Sequence, residues 1–194
     1  MDKKERYERY KYLTGLSSWH IGSYKDKSHV ITVNDGPSGL RKPVLNEFNK
    51  QDEVVVSVCM PTPSALAASF DKELVYENGK ILAKECLQNN TDVLLAPGVN
   101  IKRYVLCGRN FEYFSEDPYL AGRTSYYESR GIENKGCMAY AKHFALNDQE
   151  TNRYGCVIFA NEQSVREIFL KGFEGSIVGG KSNALMAAMN RVGT

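Results

Sequence analysis

Short apolar runs alternate along this chain with longer amphipathic stretches, a pattern typical of a parallel sheet whose strands are joined by crossover helices. Most of the runs are followed by Gly, Pro, Asn or Asp, as expected for the loops that leave the carboxyl ends of such strands. The pattern predicts five strands, at Val30–Val33, Val54–Cys59, Asp92–Ala96, Cys137–Lys142 and Asn183–Ala188.

Three helices between these strands are predicted from capping residues and from side chains at helical spacing. The capping residues are Asp71, Asp117 (followed by Pro118 at the first helical position) and Asn161. The predicted inward faces are Val75, Gly79, Leu82 and Cys86 in the first helix, Leu120, Thr124, Tyr127 and Gly131 in the second, and Val165, Ile168, Phe169, Phe173 and Ile177 in the third.

These elements fit either a small doubly wound domain or part of a (β/α)8 barrel. A doubly wound nucleotide-binding sheet should carry a glycine-rich phosphate loop after its first strand. Here the run from Asp35 to Arg41 contains a carboxylate and a proline where a phosphate would need free N–H groups. The barrel is therefore favoured. Because a complete barrel takes about 250 residues, the 194 residues of this chain predict an α/β fold with about the first five βα units of a TIM-type barrel.

Composition narrows the expected partners and the cellular location. Lys and Arg total 25 against 23 Asp and Glu, and the basic residues are scattered, so nucleic acid is not an expected partner. No apolar run approaches the roughly 20 residues that span a bilayer. No apolar stretch follows the charged N-terminal residues, so no signal peptide is expected. The five cysteines include no CxxC pair, which favours reduced thiols in a cytoplasmic protein without a membrane partner. Neither a metal nor an organic cofactor is expected.

Polar side chains are concentrated after the predicted strands, where a barrel forms its active-site mouth. They are Asp35 and Arg41 after the first strand, the Asn100–Glu112 loop with Arg109 after the third, Lys142, His143, Asn147, Asp148, Glu150 and Arg153 after the fourth, and Asn190 and Arg191 after the fifth. A carboxylate accepts two hydroxyl hydrogen bonds, and Lys and Arg donate charge-assisted ones. This rim therefore suits a polyhydroxylated ligand.

Several of these residues also have a purely structural interpretation. Asp35 before Gly-Pro could organise a turn. Arg109 could form an ion pair with Glu112 or Glu116 at the rim, and His143 could be a half-buried histidine with satisfied hydrogen bonds. The residues taken one by one leave both interpretations open.

Four segments resemble a known family. NDGPSGLR, MPTPSALAASFDKELV, DVLLAPGVNIKRYVLCGRNFEYFSEDPYLAG and AKHFALNDQETNR resemble, in this order and spacing, the β-glucosidase type of the family 3 glycoside hydrolases. A related branch, the β-N-acetylhexosaminidases, carries a KHFPGHG-like motif where this chain has KHFALND. The resemblance runs from about Tyr12 to the C-terminus. It implies one domain, residues 1–194, that forms the N-terminal part of a (β/α) barrel and is incomplete on its C-terminal side.

The resemblance also implies roles for individual residues. Asp35 would accept hydrogen bonds from the hydroxyls of the terminal sugar. Lys142 and His143, which share a cis-peptide turn in the family, would donate to the middle hydroxyls of that sugar. Three arginines would lie in or just behind the pocket: Arg41, Arg109 and Arg153.

No catalytic carboxylate of the family is expected within this chain. A retaining glycosidase needs a nucleophile and an acid/base. The resemblance places the nucleophile, an aspartate in an SDW-like motif, and the acid/base of a later domain beyond Thr194. Met189 stands where the family usually has a tyrosine that supports the nucleophile, and a thioether cannot replace that hydroxyl. The chain alone is therefore predicted to be inactive.

The function implied by the resemblance is hydrolysis, with retention, of terminal β-linked glucose from a glucoside or oligosaccharide. This chain would supply the sugar-binding subsite, and the missing C-terminal half of the enzyme is a candidate partner. Two alternatives stay open. One is a non-catalytic truncated remnant or sugar-binding piece, and the other is an enzyme that uses its own carboxylates, such as Asp35 with Glu150, as the acid/base pair.

Overall fold

The computed structural model of this chain describes residues 2–10, 15–22, 30–45 and 51–193. Its strands are β1 (Gly15–Ser17), β2 (His20–Ile21), β3 (Ile31–Asp35), β4 (Pro43–Leu45), β5 (Gln51–Val54), β6 (Val93–Leu95), β7 (Met138–Phe144), β8 (Val157–Ile158), β9 (Ala184–Ala187) and β10 (Arg191–Val192). Its α-helices are α1 (Lys3–Tyr10), α2 (Pro63–Ala68), α3 (Lys72–Gln88), α4 (Pro118–Glu133), α5 (Glu162–Ser164) and α6 (Lys171–Glu174). A 3-10 turn covers Asn110–Glu112, and π-helical turns cover Val165–Phe169 and Gly175–Gly179.

Six strands form one curled sheet in the order β1-β2-β3-β6-β7-β9, in which β3, β6, β7 and β9 run parallel. Helices α2 and α3 connect β3 to β6, α4 connects β6 to β7, and the helical segment 162–179 connects β7 to β9. This topology confirms the predicted α/β fold, and the curled sheet forms half of a barrel. The short antiparallel strands β1 and β2 cover the free edge of β3.

The two faces of the sheet bury different side chains, as the two-residue period of a strand requires. The outer face packs against α3 and α4 in a buried cluster that includes Leu82, Cys86, Leu94, Ile132 and Ala139. The inner face carries Val33, Val93 and Leu95, which Trp19, Tyr140 and Met186 partly cover. Both faces of the sheet are thus packed with apolar side chains along the strands. The polar side chains lie at the carboxyl ends of the strands.

The predicted strand Val54–Cys59 is wrong, because β3 pairs directly with β6. Val54 ends the small hairpin of β4 and β5, and the rest of the run lies along the loop after β3. There the Val55 N–H donates to the Lys42 carbonyl (3.0 Å) and the Met60 N–H donates to that of Ser38 (3.1 Å). The side chains on one side of this run face solvent, and Val56 is 98% exposed. The run is therefore not a buried strand.

The other four strands lie where the sequence predicts them, with ends that differ by one or two residues. The three predicted caps are also confirmed. One Asp71 carboxylate oxygen accepts the N–H groups of Glu73 and Leu74 (both 3.0 Å), and Asp117 and Asn161 accept the N–H groups of Leu120 and Ser164 in the same way. In α3 the whole predicted face is buried: Val75, Gly79, Leu82 and Cys86.

The predicted inward faces of the two later helices are only partly correct. Helix α4 packs against α3 on one side and against the 171–179 segment on the other, so it also buries Ser125 and Glu128, which the single predicted stripe omitted. In the last helix the π-helical turns take more residues per turn and displace the stripe. Phe169 and Phe173 remain buried, whereas Ile168 and Ile177 are half-exposed.

Candidate active site

A cleft of about 460 Å³ opens beside the carboxyl end of β3. Its walls come from the loop after β3 and from the loops that follow β6 and β7. The described residues that line it are Asp35, Gly36, Pro37, Ser38, Gly39, Arg41, Arg109, Phe111, Glu112 and Arg153. Four of the seven predicted site residues therefore meet in one cleft: Asp35, Arg41, Arg109 and Arg153.

The loop after β3 makes a tight turn that returns Arg41 to Asp35. The Arg41 N–H donates to the Asp35 carbonyl at 2.7 Å. Gly36 and Gly39 have φ angles of 151° and 120°, a region that side chains rarely adopt, and a Cβ on Gly36 would lie 2.3 Å from the Gly39 carbonyl oxygen. These glycines allow the turn, which keeps the Asp35 carboxylate and Arg41 at the same cleft wall.

Asp35 belongs to a chain of alternating charges. Its carboxylate accepts a hydrogen bond from the Lys142 ammonium and another from the Gly36 N–H at 3.0 Å. The Lys142 ammonium also lies 3.2 Å from one carboxylate oxygen of Glu112, whose other oxygen accepts from the Arg109 guanidinium. Burial by itself would lower the Arg109 pKa, but the hydrogen bond and the negative charge of Glu112 raise it by more. The Arg109 pKa therefore lies above its ordinary value. The ion pair of Arg109 with Glu112, one of the two predicted pairings, is thus present.

Lys142 and His143 lie behind the cleft wall. They are 1% and 2% exposed, and neither is among the described residues that line the cleft. The peptide bond between them is cis, as the family resemblance implied. The Lys142 ammonium therefore contacts Asp35 and Glu112. Asp35 lines the cleft, and Lys142 lies behind it.

His143 is fixed by two polar neighbours, Asn100 and Tyr113. Asn100 pairs with its backbone, accepting the His143 N–H (2.8 Å) and donating to its carbonyl (3.0 Å). The Tyr113 hydroxyl lies 2.9 Å from the imidazole Nδ1 and accepts from the Asn147 amide at 3.0 Å. Burial, together with the charges of Arg109, Lys142 and Arg153, holds the His143 pKa far below its ordinary value, so the ring is neutral.

Burial also raises the Tyr113 pKa, so the phenol keeps its proton. The phenol oxygen accepts from the Asn147 amide, and a neutral imidazole that carries no proton on Nδ1 can accept the phenol O–H. The ring proton is then on Nε2. Tyr113 was missed by the sequence analysis, because nothing in the local sequence indicates that this hydroxyl meets a histidine 30 residues later.

Glu150 joins the loop after β7 to the same network. One of its carboxylate oxygens accepts from the Asn147 amide at 2.9 Å and lies 3.9 Å from the Arg109 guanidinium. The other accepts from the Arg153 guanidinium at 3.2 Å. Because both oxygens of Glu150 and one of Asp35 are engaged by cations or amides, these two carboxylates are poorly suited to act as an acid/base pair.

Met189 is the one predicted site residue that the structure leaves apart from both the cleft lining and this network. It follows β9, is 45% exposed and is not among the described residues that line the cleft. Among the described residues, no group of three His, Cys, Asp or Glu side chains could hold a metal ion. In the same part of the chain, no helix has the length and apolarity needed to cross a bilayer.

The cleft can therefore recognise an uncharged, hydroxyl-rich ring. It offers the free lone pairs of Asp35 as acceptors and three guanidinium groups as donors, of which those of Arg109 and Arg153 are held by Glu112 and Glu150 before a ligand arrives. Charge-assisted hydrogen bonds of this kind are roughly twice as strong as neutral ones. Phe111, which the sequence analysis did not single out, adds one aromatic surface to this polar lining.

Comparison with known proteins finds one family. Residues 49–193 match the "Glycosyl hydrolase family 3 N terminal domain". The chain is 39% identical over 181 residues to "Thermostable beta-glucosidase B" of Acetivibrio thermocellus, covering 92% of this chain and 24% of that protein. It is 38% identical over 184 residues to the "Exo-alpha-(1->6)-L-arabinopyranosidase" of Bifidobacterium longum, again covering 92% and 24%.

A solved structure supports the same relationship. The β-glucosidase from Kluyveromyces marxianus in complex with glucose superposes with a TM-score of 0.87 at 34% identity, covering 96% of this chain and 22% of that one. The half-barrel of this chain thus corresponds to a barrel in that enzyme. This chain spans about a quarter of the length of these relatives.

Proposed function

Because this chain belongs to glycoside hydrolase family 3, we propose that its cleft is the terminal-sugar subsite of a retaining β-glucosidase-type hydrolase. The observation that carries the proposal is the Asp35 carboxylate, which lines the cleft while Lys142 and the Gly36 N–H hold it from behind. A carboxylate fixed in this way accepts hydroxyl hydrogen bonds without first having to be ordered. The substrate is then a small β-glucoside or an oligosaccharide that ends in β-linked glucose.

Each predicted residue takes a role in this proposal. Asp35 accepts from two hydroxyls of the sugar, and the three arginines of the cleft donate to its other oxygens. His143 presents Nε2–H as a donor, and Lys142 acts mainly by positioning Asp35. Met189 stands where the family resemblance implies a tyrosine that supports the nucleophile, and its thioether cannot supply the hydrogen bond of that hydroxyl.

The reaction itself needs two further carboxylates. In a retaining glycosidase they lie about 5–5.5 Å apart; one attacks the anomeric carbon to form a glycosyl-enzyme, and the other protonates the leaving group and then activates water. We propose that both come from outside these 194 residues, in the remaining part of such an enzyme, which is the expected partner. The residues of this chain bind and orient the sugar, and the chain alone is inactive. This proposal also places the protein in the cytoplasm, since all five cysteines are free thiols.

Two alternatives to this proposed function differ from it in the catalytic partner or in the sugar that is bound. The first is a sugar-binding piece without any catalytic partner. The second concerns the sugar: the Bifidobacterium longum relative is named for L-arabinopyranose, a ring without the glucose hydroxymethyl group, and its identity to this chain is nearly the same, 38% against 39%. Binding of both sugars therefore has to be measured.

The test is calorimetric titration of the chain with D-glucose and with L-arabinopyranose, using the unsubstituted protein and Asp35→Asn. We expect glucose to bind better and Asp35→Asn to weaken it by a hundredfold or more, because the amide turns a donor toward hydroxyl donors and leaves Lys142 with Glu112 as its remaining ionic partner, a loss of roughly 3 kcal/mol. Equal affinity of the two proteins would remove Asp35 from the sugar site.

Activity is measured in parallel as nitrophenol release from an aryl β-glucoside. The expected rate for the chain alone is that of buffer. Turnover that disappears in Glu150→Gln would instead favour the enzyme that uses its own carboxylates. Addition of a polypeptide that carries the remainder of the barrel and the later domain should restore turnover, and failure to do so with glucose still bound would favour the non-catalytic piece.

A further inference from the structure

The cleft changes character between its inner end and its opening. At the inner end stand carboxylates backed by buried groups, Asp35 with Lys142 and Glu112, and Glu112 is only 4% exposed. Toward solvent stands Phe111, which is 55% exposed and also lines the cleft. It is the one aromatic side chain among the described residues of the lining.

Backbone geometry produces this contrast between two consecutive residues. Phe111 and Glu112 lie in the 3-10 turn Asn110–Glu112. A 3-10 turn has three residues per turn, so neighbouring side chains point about 120° apart. Glu112 turns inward to Arg109 and Lys142, and Phe111 is left facing the opening.

The 3-10 turn that carries Phe111 is held in place by hydrogen bonds from neighbouring segments. The Ser64 hydroxyl of α2 lies 3.2 Å from both the Asn110 and the Tyr113 carbonyl oxygens, and the Lys102 ammonium donates to that hydroxyl at 2.5 Å. The Asn110 amide donates to the Tyr104 carbonyl at 2.9 Å, which ties the preceding loop to the turn. The ring of Phe111 is therefore presented on a fixed backbone, and little order has to be gained when a ligand contacts it.

We propose that Phe111 forms the subsite for the group attached to the anomeric carbon of the bound sugar, and that this site selects substrates with a flat, apolar aglycone such as an aryl group. The inference rests on the proposed function. With the terminal sugar held against Asp35 at the inner end, the aglycone extends toward the opening, where Phe111 stands. An aromatic ring there stacks on another ring, whereas a methyl group or a hydrated hydroxyl gains little from it.

The experiment compares two ligands that differ only in the aglycone. Phenyl and methyl 1-thio-β-D-glucopyranoside are suitable because their sulfur linkage resists hydrolysis. Each is titrated by calorimetry into the unsubstituted chain, Asp35→Asn, Phe111→Leu and a matched control, Phe70→Leu. Phe70 is a second exposed phenylalanine, 79% exposed, which lines a groove formed with α3 and α4 instead of the cleft.

Phe111→Leu keeps an apolar side chain of similar size but removes the ring. We expect it to weaken the phenyl thioglucoside roughly five- to tenfold, in the upper part of the range for one lost aromatic pair, and to leave the methyl thioglucoside within twofold. Phe70→Leu should leave both ligands within twofold.

The two hypotheses fail in different ways. If Asp35→Asn weakens both ligands but Phe111→Leu affects them equally, or affects neither, the aglycone subsite is overturned and the sugar subsite stands. If neither ligand binds the unsubstituted chain, the sugar subsite is overturned, and the aglycone subsite falls with it.

Discussion

Lys142 near the end of β7 donates a hydrogen bond to Asp35 at the end of β3, a residue 107 positions earlier in the chain. The lysine is almost completely buried, so this contact is both a structural tie across the sheet and the support of the residue proposed to bind sugar. Because Glu112 lies against the same ammonium, removal of the lysine charge would leave two neighbouring carboxylates without their shared cation.

Lys142→Met should therefore lower the free energy of unfolding by about 3–5 kcal/mol, the usual cost of breaking a buried ion pair by deleting one partner. Urea denaturation measures this loss. Adding Asp35→Asn to Lys142→Met should recover part of it, since one of the two stranded carboxylates is then neutral. Lys72→Met is the matched control, because the exposed Lys72 pairs only at the surface with Glu73, and its loss should cost under about 1 kcal/mol.

The second prediction concerns the protonation state of His143. Nδ1 of its ring lies 2.9 Å from the Tyr113 hydroxyl, and burial, together with three nearby cationic side chains, holds its pKa far below 6.5. Nitrogen-15 NMR of histidine-labelled protein should therefore show a neutral ring with its proton on Nε2, unchanged when the pH is lowered from 7 to 5. Tyr113→Phe removes the donor and should lower the unfolding free energy by about 1–3 kcal/mol. A ring that becomes doubly protonated near pH 6 would contradict the assigned hydrogen bond.

Much of this fold could be predicted from the sequence because its signals are local. Asp71 and Asp117 cap helices through hydrogen bonds to residues two or three positions away. Strands β6 and β7 coincide with short apolar runs that are followed by residue types typical of loops. The run at Val54–Cys59 has the same local appearance. Its pairing with the loop at 38–42 depends on tertiary contacts, which a local pattern does not encode.

The candidate site divides in the same way. Asp35, Arg109 and Lys142 could be identified from their place after predicted strands and from the family resemblance. The sequence could not indicate that Lys142 lies behind Asp35, since this depends on the orientation of a buried side chain at the β7 strand end. Tyr113 was missed for a similar reason, as its hydroxyl acquires its role only when β7 brings His143 beside it.

The third prediction tests the contact between α3 and α4, which cross at Gly79 and Gly131. A Cβ on Gly131 would lie 2.3 Å from the Tyr76 carbonyl oxygen and 3.1 Å from the Gly79 Cα, both backbone atoms that cannot rotate away. Gly131→Ala should therefore lower the unfolding free energy by about 1–3 kcal/mol, even though alanine is the better helix former. Gly108→Ala, where a Cβ would meet nothing within 4 Å, should change it by under about 0.5 kcal/mol. A stabilised Gly131→Ala would mean that the helices can separate without cost.

The last prediction concerns Glu128, a carboxyl group buried in α4 where no described residue donates to either of its oxygens. Burial raises its pKa from 4.5 to about 8, so the folded protein holds a proton that the unfolded chain releases above pH 4.5. Stability is therefore highest with respect to this group below pH 4.5, and it falls as the pH rises from 4.5 toward 8, because the unfolded chain ionises the carboxyl and the folded protein does not. Each pH unit in this window should cost about 1.4 kcal/mol.

Glu128→Gln keeps the shape of the side chain and removes the titration, so its stability should vary less between pH 5 and pH 8 and should exceed that of the unsubstituted chain at the upper end. Urea denaturation at several pH values in this window measures both effects. Glu162→Gln is the matched control, because the Glu162 side chain is 78% exposed and pairs only with Arg166 on the surface; its pH profile should follow that of the unsubstituted protein. If Glu128→Gln were less stable than the unsubstituted chain at pH 8, the carboxylate would have to be gaining a partner as it ionises, and the burial of an unpaired acid in α4 would be refuted.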